Sequence, residues 1–116
     1  MLNETYTLRN DFVIELHDEF DADVVKTIRE DLETYSRLST NILIDVKHVS
    51  FIDSSGIGAI VFLYKRMVAK GYAVYVIGLS KQPLELFQLL FLDKTIHCFA
   101  DIESYLSSCV SIRAAS

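Results

Sequence analysis

The sequence predicts a single α/β domain, residues 1–116, on a mixed, mostly parallel sheet of about five strands with four helices mainly on one face. Three observations carry this reading. Short runs of β-formers alternate with segments whose apolar residues recur at helical spacing. The first two strand runs are separated only by Arg9-Asn10-Asp11, so they pair as an antiparallel hairpin. A later run, Ile42-Leu43-Ile44, is continuously apolar, as expected of a strand covered on both faces.

The hairpin joins Thr5–Leu8 to Phe12–Leu16. An acidic cluster, Asp18-Glu19-Phe20-Asp21-Ala22-Asp23, leads into a helix with Val24, Val25, Ile28, Leu32 and Tyr35 on one face and Asp21 as N-cap. The polar stretch Ser36–Asn41 ends it, the strand Ile42–Ile44 follows, and Val46–Ile52 reads as a connector. Asp53-Ser54-Ser55-Gly56 opens a second helix whose stripe is Ile57, Ile60, Val61, Tyr64, Met67 and Val68. Lys65, Arg66 and Lys70 suit its negative end, and Gly71 stands where a C-cap glycine belongs. A strand over Ala73–Ile77, a helix with Pro83 in its first turn carrying Leu84, Phe87, Leu90 and Phe91, and a strand over Ile96–Phe99 complete the alternation. Asp101 caps a last helix through Ile102, Tyr105 and Leu106 to Val110, with Ser111–Ser116 frayed.

Composition narrows the function classes. Hydrophobic residues make up 51% of the 116 and charged residues 23%, which excludes a disordered or low-complexity chain. A net charge of -5 disfavours nucleic acid or an anionic membrane as partner. The longest apolar run, Ile57–Leu63, is far too short to cross a bilayer, and the N-terminus lacks the pattern of a secretory signal, so a cytoplasmic protein is expected. Cys98 and Cys109 have no His or Cys at metal-ligand spacing and read as free thiols.

Catalytic motifs are missing: there is no G-x-S-x-G, H-E-x-x-H, P-loop or G-x-G-x-x-G. His17, His48 and His97 are scattered and read as surface or capping imidazoles. The acidic group Asp18, Glu19, Asp21 and Asp23 lacks calcium-loop spacing, so no metal and no cofactor is expected. The segment Phe51–Gly58 stands apart, because it places two hydroxyls at a helix N-terminus where free backbone N–H groups gather. Asp53 or Ser54 serves as the cap. Gly56 is not explained by capping, since a glycine inside a helix costs about 1 kcal/mol against alanine; its presence implies that something approaches the backbone closely.

Asp53-Ser54-Ser55-Gly56-Ile57-Gly58, with the strand before it and the apolar helix to Gly71 after it, resembles the anti-sigma factor antagonists of the STAS domain family. The likeness extends to the order of elements, to Asp21, to the strand Ala73–Ile77 and to Leu84-Phe87-Leu90-Phe91 before Asp93-Lys94. It implies a bacterial partner-switching protein and not an enzyme. The unphosphorylated form would bind an anti-sigma factor that is a serine kinase of the histidine-kinase-like ATPase fold. Phosphorylation of the serine after the aspartate, here Ser54, would end binding, and a metal-dependent serine phosphatase would reverse it. One departure falls at Asp18, where many relatives carry a glycine.

The residues agree with that mechanism. A serine at a helix start is exposed to a kinase, and the helix dipole tolerates a phosphate there. Added to an interface that already presents Asp21, Asp23 and Asp53, a further charge of about -1.5 to -2 brings repulsion and a desolvation cost; if these remove about 3 kcal/mol, affinity falls roughly a hundredfold. Ser55, Gly56 and Ile57 complete the expected partner-binding set, Gly56 by close backbone approach and Ile57 as an apolar anchor. A monomer or weak dimer is expected. The alternatives are a STAS accessory subunit of a transporter and a phosphate- or nucleotide-binding regulatory module.

Overall fold

The computed structural model describes the backbone of residues 3–115 and the side chains of residues 4–108. Five strands form one sheet in the order β1-β2-β3-β4-β5, with β1 (Asn3–Leu8) antiparallel to β2 (Asp11–Phe20) and β3 (Ile42–Ile52), β4 (Val74–Ile77) and β5 (Cys98–Phe99) parallel thereafter. The hairpin loop is the pair Arg9-Asn10, both at positive φ, the conformation whose twist matches that of the flanking strands.

Helices α1 (Ala22–Thr27), α2 (Arg29–Ser36), α3 (Ser54–Ala69) and α4 (Lys81–Leu89) bury their apolar stripes on one sheet face. Ile14, Leu16, Ile42, Ile44 and Val46 point into that layer, and their odd-even partners Val13 and Leu43 point the other way, as a period of two requires. The opposite face is covered in part by α5 (Ile102–Ala115), which lays Tyr105 against Val13, Leu43 and Ile77. The Tyr105 hydroxyl donates to Asp11 at the start of β2. The expected one-sided packing of the other helices is therefore met. Among the described residues no helix is long and apolar enough to cross a membrane.

Several expectations are corrected. The first helix is broken in two at Ile28, which leaves the helical region (φ -110°, ψ 14°) while staying buried. Thr27 Oγ1 donates to the Val24 carbonyl at 2.7 Å, a local side-chain bond that competes with helix continuation. The supposed connector Val46–Ile52 is strand, and so is the acidic stretch Asp18–Phe20. Two register shifts give β3 one more residue than β2 on each occasion, so its inward residues fall at Val46, Val49 and Ile52, three apart and not two. Asp18 lies beside these shifts at φ 60°, the left-handed conformation a glycine adopts freely and aspartate tolerates better than most. Leu90 and Phe91 are exposed, because α4 ends before them and Phe91 turns left-handed at φ 58°. The last helix continues to Ala115, past the point where fraying was expected. Ser116 and the Cys109 side chain lie outside the described residues.

The C-terminus of α3 forms as expected. Gly71 has φ 89°, with Gly71 N donating to Val68 O and Tyr72 N to Met67 O, the paired bonds of a Schellman cap. Lys70 turns away from its own helix and donates to the Ser36 and Leu38 carbonyls, closing the end of α2.

Candidate functional site

The candidate site is the edge where β2 and β3 deliver the chain to α1 and α3. Asp53 caps α3: its Oδ1 accepts from Gly56 N at 2.9 Å, and its backbone carbonyl accepts from Ile57 N at 3.0 Å. Its second oxygen, Oδ2, accepts from Ala22 N at 3.1 Å, at the first residue of α1. One carboxylate therefore ties two helix starts together, each a place where the backbone presents unpaired N–H groups and a partial positive charge. Asp21 caps α1 in turn, accepting from Val24 N at 3.1 Å. Asp53 and Asp21, chosen from sequence as partner contacts, are both caps, half-buried at this edge, while Asp23 is exposed in the first turn of α1.

Ser54 is the first residue of α3 and is exposed; Ser55 beside it is half-buried. The cap answers the amide of Gly56, and helix geometry leaves those of Ser54 and Ser55 without an intrahelical partner. A group attached to the Ser54 hydroxyl would meet that end of the helix dipole without displacing the core.

Gly56 and Ile57 correct the sequence reading. Both are buried, Ile57 in the main core, so neither presents a surface to a partner. The close approach that Gly56 serves is made within the molecule: a Cβ there would lie 2.3 Å from Phe20 O and 2.7 Å from Ile52 Cγ1. The glycine lets the first turn of α3 sit directly on the end of β2. Gly58, two residues on, is exposed with nothing near its missing Cβ.

Gln82, which drew no attention in the sequence, also positions the site. Its side-chain amide accepts from Ile52 N and donates to Ile52 O, both at 2.9 Å, continuing the ladder of β3 with a side chain at the residue before Asp53. A glutamine in the first turn of a helix is an ordinary residue, and no periodicity marks it. From Ser55 an open groove of about 360 Å³ runs between α1–α2 and α3, lined by Val25, Arg29, Leu32, Gly58 and Phe62. Burial, and secondarily Asp93, push the Cys98 thiol up to about 11, so it stays protonated and unreactive at neutral pH.

A hairpin-led, mostly parallel sheet whose third helix opens on an aspartate cap and an exposed serine defines the class of fold. The STAS domain profile matches residues 4–105, and the chain belongs to the STAS domain family. It is similar to the anti-sigma-B factor antagonist of Bacillus subtilis (strain 168), with 28% identity over 94 residues, 81% of this chain and 86% of that one. Among solved structures, an anti-sigma-factor antagonist (STAS) domain protein from Planctomyces limnophilus superposes with a TM-score of 0.84 at 17% identity, covering 93% of this chain and 97% of that one. The Bacillus cell fate determinant SpoIIAA in its phosphorylated form gives 0.71 at 23% identity, covering 92% and 98%. At these identities the structural likeness is one of fold.

Proposed function

We propose that this protein is an anti-sigma factor antagonist that works by partner switching, with Ser54 as the phosphorylated residue. The observation that carries the reading is Ser54 itself: an exposed hydroxyl at the first position of α3, on a turn held by Asp53, Gly56 and Gln82 so that modification changes charge and not fold. The relative from Bacillus subtilis supports it by kinship, and the phosphorylated SpoIIAA is similar in fold.

In this reading the unphosphorylated edge, with Ser54, Ser55, Asp21, Asp23 and Asp53, docks on an anti-sigma factor that is also a serine kinase of the histidine-kinase-like ATPase fold. The kinase transfers a phosphoryl group to Ser54 Oγ. The resulting dianion sits among three carboxylates, and the partner surface that matched them must now be desolvated against a larger negative charge. A metal-dependent serine phosphatase restores the first state. The protein supplies no catalytic residue of its own, and its place is the cytoplasm.

The test uses two immobilised variants, Ser54→Ala and Ser54→Asp, incubated with lysate of the source organism and analysed by mass spectrometry. The Ala variant alone should retain a small kinase-fold protein. Calorimetry with that purified protein should give the Ala variant about a hundredfold lower Kd than the Asp variant. Equal retention by both baits, or equal affinities, would remove Ser54 as the switch.

A further inference from the structure

We infer that Glu4, Glu15 and His17 form a binding site for a divalent metal ion of the zinc class, on the sheet face that α1–α4 leave open. The register builds the cluster. Glu15 and His17 are two apart on β2 and share a face, and Glu4 of β1 stands directly opposite Glu15. One donor atom from each lies within 4.8 Å of the others. His17 Nε2 is 3.0 Å from Glu15 Oε1 and 3.7 Å from Glu4 Oε1. Tetrahedral zinc with bonds of about 2.0–2.1 Å separates its ligand atoms by roughly 3.3–3.4 Å, a value that these two distances bracket.

Three features of the surroundings favour a cation there. Two glutamates placed directly opposite each other on paired strands repel, and a shared divalent ion removes that penalty. The His17 ring is held in orientation by stacking on His48 of β3, with centroids 5.2 Å apart and planes within 13°. Lys47, the cation beside the cluster among the described residues, is held mainly by another group: its Nζ lies 3.1 Å from the fully buried Asp45 and 3.7 Å from Glu15 Oε2, the oxygen turned away from His17. Glu4 is exposed, which leaves the fourth coordination position open to water. One nitrogen and two carboxylate ligands suit zinc and its first-row neighbours over magnesium, which seeks an octahedron of oxygens. No sequence motif announces the site, because its three ligands come from two strands whose pairing is known only from the fold. It revises the expectation that the chain holds no metal, and it is independent of Ser54.

The experiment is a calorimetric titration of Zn²⁺ into the wild-type protein, Glu4→Gln and His17→Gln, with imidazole resonances followed by NMR. Glu4→Gln changes an exposed side chain and keeps the fold, which circular dichroism checks. One zinc per chain should bind, His17 resonances should shift on saturation while those of His97 do not, and each substitution should weaken binding about tenfold or more. An equal concentration of Mg²⁺ should not displace the zinc. Absence of binding, equal affinity in the three proteins, unmoved His17 resonances or displacement by Mg²⁺ would each overturn the site.

Discussion

Helices α3 and α4 both begin beside the end of β3, and each start presents an exposed serine, Ser54 in one and Ser80 in the other. The two starts are built in opposite ways. Asp53 ahead of Ser54 holds Gly56 N and Ala22 N with its two oxygens, and Ser54 itself is free of capping duty. Ser80 occupies the cap position of α4 but makes no side-chain cap bond, the next residue, Lys81, stands at φ 52°, and Gln82 turns its amide to Ile52. Polar side chains of both starts thus act on the same object, the junction of β3 with α3. The first turn of α4 is left strained and uncapped while the first turn of α3 is fixed from three sides. An exposed serine on a rigid, doubly tied turn is a suitable place for a charge-changing modification; an equally exposed serine ahead of a strained, uncapped turn is not.

The largest effect that would break this contrast is at Gly56. Gly56→Ala should lower stability by about 3 kcal/mol, because even a single Cβ meets the backbone oxygen of Phe20, which cannot move without unseating β2 from α3. Gly58→Ala, on the same helix with nothing near the new methyl, should do the reverse and raise stability by about 1 kcal/mol. Urea denaturation of the two variants reads both signs; a tolerated Gly56→Ala would mean that the close seating of α3 on β2 does not hold the site.

Next in size is the comparison of the two caps. Asp53→Ala removes bonds to two helix starts and should cost about 2 kcal/mol, whereas Ser80→Ala removes no side-chain cap bond and should stay within about 0.5 kcal/mol of wild type. Equal losses in the two variants, measured by the same denaturation, would erase the distinction between the starts.

What the sequence revealed of this edge, and what it hid, follows from the range of the interactions. The cap at Asp53 or Ser54 and Gly71 as a terminator rest on bonds within three to five residues; the structure chooses Asp53 for the first and forms the second as read. The exposure of Ser54 follows from the same local geometry. The strand Val46–Ile52 was hidden because two bulges impose a spacing of three on Val46, Val49 and Ile52, a period that matches neither strand nor helix. Gly56 does mark a close approach, but the approaching group is Phe20 and not the partner expected, and Phe20, 36 positions away in sequence, could not be named from it. Gln82 and the cross-strand trio Glu4, Glu15 and His17 were illegible for the same reason: their partners are brought together only by strand order and register.

The smallest effect sharpens the contrast at the first helical residue of each start. Lys81 holds φ 52°, a conformation that brings the Cβ of an L-residue close to the next carbonyl oxygen at a penalty of about 1–2 kcal/mol, and its side chain is exposed. Glycine escapes that penalty but adds freedom to the unfolded chain, an opposing term of about 0.5–1 kcal/mol. Lys81→Gly should therefore stabilise the protein by about 0.5–1 kcal/mol. Ser54 follows a cap in extended geometry and is not among the residues at positive φ, so Ser54→Gly has no strain to release and should cost about 0.5–1 kcal/mol from the same unfolded-state term. The two substitutions replace exposed residues at equivalent positions, so opposite signs in a denaturation pair would isolate backbone strain as the difference between the starts. Matching signs would mean that α4 begins as easily as α3 and that the rigidity around Ser54 has another source.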